Sequence, residues 1–135
     1  MKKVYQDKDN CIDACVASLL GIKLKDVPEI RWLGEKAKES SWMKELNDWL
    51  KTKHKKQIVL LSPPTDILYH IANGNEQNMI LVISGSYNKN KHHTIIVNKH
   101  LQIIHNPDPM ARFENIFAQY GFTIKTEYAL ALVGL

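Results

Sequence analysis

A cysteine that follows a short polar loop and opens an apolar stretch is the best-placed nucleophile in this chain. Cys11 follows the polar segment 6–10 and begins the mostly apolar segment 11–20, whose apolar residues would cover most of a helix circumference. Free N–H groups and the dipole of a first helical turn stabilise a thiolate, so the sequence predicts a lowered pKa for the Cys11 thiol. The same N–H groups can bind an oxyanion that develops on a substrate carbonyl.

Two other side chains belong to this segment. Gln6, five residues upstream of Cys11, can direct its amide NH2 group into the same oxyanion site. Cys15 lies one helical turn beyond Cys11, and we predict that it is a core residue. A glutamine, a short loop and a cysteine that opens a buried helix resemble the arrangement of papain-like cysteine hydrolases. The alternative is that Cys11 is a small buried hydrophobic residue, as free cysteines usually are.

Residues 93–106 predict a β-hairpin that brings an imidazole next to an amide. With a two-residue turn at 99–100, counting outward along both strands places His93 directly opposite Asn106. Directly opposed residues have Cβ atoms about 4.5–5.5 Å apart on one face. A slip of one residue would move the two side chains to opposite faces. The prediction therefore depends on the turn.

An imidazole held by an amide supplies what a cysteine nucleophile needs. The thiol requires a base to take its proton, or an imidazolium beside it. The imidazole requires a third group that fixes its ring and tautomer, and the amide oxygen of Asn106 can accept the ring N–H of His93. The alternative for His93 and Asn106 is a structural cross-strand pair at the open end of a hairpin.

Three motifs together resemble a known family: Gln6 to Cys11, His93 to Val97, and Ile104 to Pro107. They are similar to the papain-like peptidase domains that cleave double-glycine leader peptides in bacteriocin export. They look closer still to small papain-like proteins of phages and prophages, which have an Ala-Cys-Ala-Ser-Leu-Leu-Gly-like helix and a late His-Asp-Pro-like segment. The resemblance implies four roles: nucleophile for Cys11, base for His93, orienting group for Asn106 and oxyanion donor for Gln6.

Two departures from this family affect the expected site. The exporter peptidases have Asp-Cys-Gly where this chain has Asn10-Cys11-Ile12, and an isoleucine narrows the approach to the thiol. Asn106 replaces the usual aspartate, so it orients the imidazole without adding a charge that stabilises the imidazolium.

The order of predicted elements indicates an α+β domain. Helices dominate the N-terminal part and mostly antiparallel strands the C-terminal part, as expected for a papain-like fold whose buried N-terminal helix packs on a sheet. The predicted helices are 11–20, one that includes 42–50, 65–72 and 111–120. The predicted strands are 58–61, 79–83, 93–98, 101–105, 122–125 and 128–133.

Size and composition narrow the class of protein. The 135 residues are 44% hydrophobic and 24% charged, so we expect a single domain over residues 1–135 with its own core. No apolar run reaches membrane-spanning length, and no apolar region follows the basic N-terminus. We therefore expect a cytoplasmic protein without a membrane partner. Two cysteines on one helix do not make a disulfide framework.

The positive charge suggests a nucleic-acid partner only weakly. The net charge is +4, and part of it comes from the basic run 51–56. Such a run can contact nucleic acid, but no recognised nucleic-acid motif accompanies it. A solvated helix end, where cations suit the dipole, is the favoured interpretation. We expect a peptide or protein substrate and no cofactor.

Three rival hypotheses use the same residues. Histidines and cysteines are zinc ligands, but the predicted hairpin separates His92 and His105 from His93, which disfavours a metal site. A second rival is an inert binding or inhibitor module of phage origin on the same fold. A third is an acyl transferase, because water is only one acceptor for an acyl-enzyme. The main hypothesis is a hydrolase of peptide, isopeptide or related amide bonds with a Cys-His-Asn triad.

Overall fold

The computed structural model of this chain describes residues 1–7, 10–28, 41–62, 65–72, 78–84, 92–108 and 125–135. The described helices are α1 (Cys11–Leu20), a 3-10 helix (Leu24–Asp26), α2 (Ser41–His54) and α3 (Thr65–Ala72). The described strands are β1 (Lys56–Leu61), β2 (Met79–Ser84), β3 (His92–Val97), β4 (Ile103–His105) and β5 (Lys125–Gly134). The predicted α+β class is confirmed. The predicted helix at 111–120 and most of the predicted strand at 122–125 lie outside the described residues.

The five described strands form one antiparallel sheet. Their order is β1-β5-β2-β3-β4, and each neighbouring pair is antiparallel. The last strand of the chain, β5, therefore lies between β1 and β2. The strands expected to carry the imidazole and the amide, β3 and β4, are neighbours at one side of the sheet.

The predicted helix at the N-terminus is confirmed as α1, whose buried segment runs from Ile12 to Ser18. The helix ends at Gly21, whose φ of +71° is the left-handed conformation that a glycine adopts without strain. Asn10 precedes α1, but its side chain does not cap the helix. Instead the Asn10 amide donates to the Asp7 carboxylate at 2.9 Å, and the Asp7 N–H donates to Asn10 Oδ1 at 3.2 Å.

Alternation along the strands gives the sheet two apolar faces. One face packs against α1 and α2 and forms the larger cluster, which includes Val16, Leu46, Ile80, Ile96 and Leu130. The opposite face includes Ile67 of α3 together with Met79, Ile83, Ile95 and Ala129. Because α1 belongs to the first cluster, the larger of the two packs around the helix that carries the Cys11 thiol.

A leucine pair on β1 and β5 tests which side chains hold this core together. Leu130 and Leu60 are directly opposed in the register, yet Leu130 is 0% exposed and Leu60 is 50% exposed. Replacing Leu130 with alanine should lower the free energy of unfolding by about 2–5 kcal/mol, because a cavity forms in the core. The matched control, Leu60→Ala, should cost less than about half as much. Urea unfolding of both variants checks the difference, and equal losses would contradict the packing described here.

The basic run coincides with the end of α2, where Lys51 and Lys53 are exposed, as predicted for a solvated helix end. Within the described ranges, no helix has both the length and the apolar character that crossing a membrane requires.

Candidate active site

The Cys11 thiol lies at the first residue of α1, half-buried against β3. Burial raises the pKa of this thiol above its ordinary value. Hydrogen bonds from the side chain and backbone of Thr94, and from the backbone of Ile12 and of Cys11 itself, act in the opposite direction. The predicted lowering of the thiol pKa is therefore wrong. The N–H groups of the first turn do stabilise the thiolate, but the loss of water around the sulfur outweighs them.

Cys15 lies one turn further along α1 and has the environment of a core residue, as predicted. It is fully buried, and burial raises the pKa of its thiol strongly. Its Sγ lies 3.4 Å from the Thr94 hydroxyl. Cys15 therefore stays protonated and is shielded from reagents.

The predicted contact between the imidazole and the amide is present. His93 Nε2 lies 2.7 Å from Asn106 Oδ1. The backbone N–H of Asp108 donates to the same Oδ1 at 3.1 Å, which identifies this atom as the amide oxygen, since an N–H cannot donate to an NH2 group. His93 must then donate its Nε2–H to Asn106. Neutral His93 is therefore the Nε2–H tautomer, with the basic lone pair on Nδ1.

The charge state of His93 follows from its surroundings. Burial lowers the pKa of the imidazole, whereas the hydrogen bond to Asn106 and the charge of Asp108 raise it. Because burial has the largest effect, the imidazole is neutral at pH 7. A neutral imidazole and a neutral thiol are the resting state, rather than an ion pair.

The hairpin that carries this pair has a wider loop than predicted. The Asn98 N–H donates to the carbonyl of Gln102 at 3.1 Å, one residue beyond the predicted partner. Leu101 has a φ of +60°, the left-handed conformation that closes a three-residue hairpin loop. The cause is the Asn98 side chain, whose Oδ1 accepts from the N–H groups of His100 and Gln102 at 2.9 and 3.0 Å. The predicted two-residue turn is therefore wrong.

A second change of register returns His93 and Asn106 to the same face of the strand pair. Between Ile96 and Val97, the pairing of β3 with β4 slips by one more residue. Two slips of one residue each return the side chains beyond the second slip, including those of His93 and Asn106, to their predicted faces, because the side-chain period of a strand is two. His93 and Asn106 are thus offset along the hairpin rather than directly opposed, and their side chains still meet.

The N-terminal segment runs beside the end of β4 and brings Gln6 to the same region. The Gln6 N–H donates to the carbonyl of Pro107 at 2.9 Å, next to Asn106 in the chain. Its side-chain Oε1 is buried and finds no hydrogen-bond partner among the described residues. Leaving such an atom unsatisfied costs about 1–3 kcal/mol. The side-chain oxygen of Gln6 can therefore accept from a donor that the described residues do not supply.

His105 has a structural role in this arrangement. It is buried, and its Nε2 donates to the Val4 carbonyl at 2.6 Å, while its ring packs edge-to-face on Tyr5 with centroids 5.0 Å apart. These contacts fix the N-terminal segment against β4. The part of the chain that the structure describes contains no group of three or more histidine, cysteine or acidic side chains suited to a metal ion.

Tyr128 lies near the Cys11 thiol, a position that sequence reasoning missed. It is half-buried in the same apolar cluster as Cys11, and the register places it opposite Val82, whose other neighbour is Thr94. Burial raises the pKa of the phenol, and the nearby Cys11 and Glu127 raise it further. A register irregularity in the β2–β5 pairing adjoins Tyr128, and bulges next to functional sites often redirect a side chain. The pairing of β5 with β2 brings Tyr128 to this position. Because the two strands are far apart in the chain, no local sequence pattern predicts it.

Comparisons with protein-family models, with curated proteins and with solved structures find no match to this chain.

Proposed function

We propose that this protein is a cysteine hydrolase of the papain-like type, which cleaves a peptide, isopeptide or related amide bond. Cys11 is the nucleophile, His93 the base, Asn106 the orienting group and Gln6 an oxyanion donor. The observation that carries the proposal is the 2.7 Å contact between His93 Nε2 and Asn106 Oδ1. It holds the neutral imidazole as the Nε2–H tautomer, which has its basic nitrogen at Nδ1, and a thiol nucleophile requires such a base.

The first step is proton transfer and attack. His93 Nδ1 takes the proton of the Cys11 thiol as the sulfur attacks the substrate carbonyl carbon, and the carbonyl π electrons move onto oxygen. Since burial disfavours the isolated thiolate, the proton leaves during the attack rather than before it. The imidazolium that forms is stabilised by the hydrogen bond to Asn106 and by the charge of Asp108.

The tetrahedral oxyanion needs donors at the start of α1. The backbone N–H groups of Cys11 and Ile12 already stabilise a charge on the Cys11 sulfur. The helix dipole also favours negative charge there. The Gln6 side chain, which its backbone bond to Pro107 places next to Asn106, is the proposed further donor through its NH2 group. The tetrahedral intermediate then collapses, the imidazolium protonates the leaving amine, and an acyl-enzyme remains on Cys11. Water, activated by His93, attacks the thioester to release the acid and the free thiol.

The proposed mechanism requires the His93 imidazole, near the start of β3, to reach the Cys11 sulfur. The Thr94 side chain contacts α1, and alternation directs the adjacent side chain, His93, towards the other face. The imidazole must therefore reach the sulfur around the end of the sheet, where β3 begins. If Cys11 and His93 function together, replacing either residue lowers the rate of turnover. Mutagenesis of each residue can measure this loss.

One observation favours a second candidate, an inert binding module on the same scaffold. The thiol is half-buried and its pKa is raised, as expected for a structural cysteine. In this case the contact between His93 and Asn106 only holds the hairpin together. The two candidates differ in whether Cys11 ever carries an acyl group.

Trapping the acyl-enzyme tests the proposed function. The protein is mixed with a library of peptide amides that carry a fluorogenic leaving amine, and the reaction is quenched in acid after milliseconds to seconds. We expect intact-mass and peptide mass spectrometry to show acyl adducts on Cys11 and on no other residue. Cys11→Ala, treated identically, is the control that should give no adduct. A library that yields neither adduct nor released fluorophore would favour the binding module.

A further inference from the structure

The strand β1 lies at one edge of the described sheet, with β5 as its neighbour. The Leu135 N–H donates to the Lys55 carbonyl at 3.1 Å, which continues the register of the two strands. Hydrogen-bonded and non-bonded pairs alternate along an antiparallel ladder, so the odd-numbered residues of β1 bond to β5. The backbone N–H and C=O groups of the even-numbered residues, Lys56, Ile58 and Leu60, therefore point outward from the sheet.

The side chain of Asn47, on α2, occupies the middle of this edge. The Ile58 N–H donates to Asn47 Oδ1 at 2.7 Å, and Asn47 Nδ2 donates to the Ile58 carbonyl at 3.2 Å. The Asn47 amide thus makes the two bonds to Ile58 that a residue of a neighbouring strand would make.

The next helix closes the position just beyond the end of β1. The Ser62 N–H donates to Asp66 Oδ2 at 3.1 Å, and the Asp66 N–H donates to the Ser62 carbonyl at 3.0 Å. Within the described residues, no hydrogen bond reaches the outward groups of Leu60, between the two closed positions. The outward groups of this edge are therefore closed at every second position.

A second copy of β1 fits this edge. Two identical antiparallel strands pair about a twofold axis. With Ile58 at the axis, it faces Ile58 of the second copy and Lys56 faces Leu60, so every outward residue of β1 exchanges two bonds. Residues 58–61 are apolar and uncharged, as in segments that pair between chains. Any other register that uses two neighbouring outward residues also requires Ile58 or Ser62.

We propose that the outward edge of β1 is a self-association surface and that the Asn47 side chain keeps it closed by occupying Ile58. To pair, each copy would first release its two bonds to Asn47. The bonds formed between the chains would then largely replace bonds already made, which leaves little to offset the cost of association. This role is independent of Cys11 and of the proposed function.

Sedimentation of a concentration series measures the self-association. Asn47→Ala removes both side-chain bonds, so pairing no longer requires their release. We expect the dissociation constant of the dimer to fall by about tenfold or more relative to the native chain, as the free energy of one or two hydrogen bonds per copy predicts. Asp48→Ala is the matched control on α2. Its exposed side chain pairs with Lys44, and its loss should leave the dissociation constant unchanged.

A proline distinguishes pairing at this edge from general aggregation of a destabilised chain. Because the Leu60 N–H points outward, Leu60→Pro removes no bond to β5, and proline is tolerated at such edge positions. In the double variant Asn47→Ala/Leu60→Pro, the ring obstructs the approaching strand, so the dissociation constant should return to the native value. A folded Asn47→Ala that associates no more than the native chain, or a double variant that still associates, overturns the proposal.

Amide hydrogen exchange of the native chain needs no variant and covers the case in which Asn47→Ala does not fold. The Ile58 N–H is bonded to Asn47, so it should exchange at least about tenfold more slowly than the Leu60 N–H, although both point outward. Similar exchange at the two positions overturns the proposal, because either Asn47 does not close Ile58 or another segment covers Leu60.

Discussion

Cys11→Ala should abolish turnover of fluorogenic peptide amides, with a loss of about 10⁴-fold or more in kcat/KM, while the fold is retained. Alanine removes the atom that carries the acyl group in the proposed mechanism, so covalent catalysis loses its nucleophile. Because the sulfur is half-buried at the end of α1 rather than in the centre of the core, its loss should change the free energy of unfolding by less than about 1 kcal/mol. Steady-state kinetics and urea unfolding of the same preparation measure both quantities.

Cys15→Ala is the matched control for this variant, because it removes the same functional group one turn away. Cys15 is fully buried and contacts Thr94. Its replacement should cost about 1–2 kcal/mol of stability, since a small cavity forms beside a hydroxyl that has lost a partner. It should leave the acyl-enzyme on Cys11 detectable. Full turnover by Cys11→Ala, or complete loss in a well-folded Cys15→Ala, would contradict the assignment of the nucleophile.

The residue types of the candidate site could be predicted because the relevant spacings are short. α1 begins and ends where its flanking residues predict, since an apolar stretch between a polar loop and Gly21 leaves few alternatives. His93 and Asn106 could be paired because they belong to one hairpin. The pairing was nevertheless reached with a wrong register, because the side chain of Asn98 widens the loop. A second slip of one residue then returned His93 and Asn106 to the same face. The predicted face was therefore right, although the predicted direct pairing was not.

The ionisation of the thiol could not be predicted from the sequence. A helix N-terminus can be read from a few residues, but burial depends on the segments that pack around it. For Cys11 these include Thr94, and the Cys11 charge also influences Tyr128, both distant in sequence from the helix. Desolvation and the helix N–H groups have opposite effects on the pKa, and only the assembled sheet determines which is larger. Tyr128 was missed for the same reason, since it belongs to no short motif.

The pH dependence of kcat/KM should have an acid limb below pH 6.5 that reports the His93 imidazole. Burial lowers the pKa of this group from its ordinary value of 6.5, and an imidazolium cannot accept the thiol proton. The rate therefore rises with pH through the His93 pKa and stays high until the thiol ionises, above the ordinary thiol range because the pKa of Cys11 is raised. His93→Ala should lower the plateau by about 10²–10⁴-fold, the usual contribution of a general base.

Two replacements of Asn106 should move this acid limb in opposite directions. The hydrogen bond from His93 to Asn106 raises the imidazole pKa, so Asn106→Ala should shift the limb to lower pH. It should also lower the plateau by about tenfold, because the ring loses its orienting partner, which is less than the loss in His93→Ala. Asn106→Asp keeps the size and both accepted hydrogen bonds but adds a negative charge, so the limb should shift to higher pH. Profiles measured between pH 4 and pH 10 distinguish these outcomes. Shifts in the same direction for both variants would exclude the neutral Nε2–H imidazole as the base, because losing the hydrogen bond to residue 106 lowers its pKa whereas a negative charge there raises it.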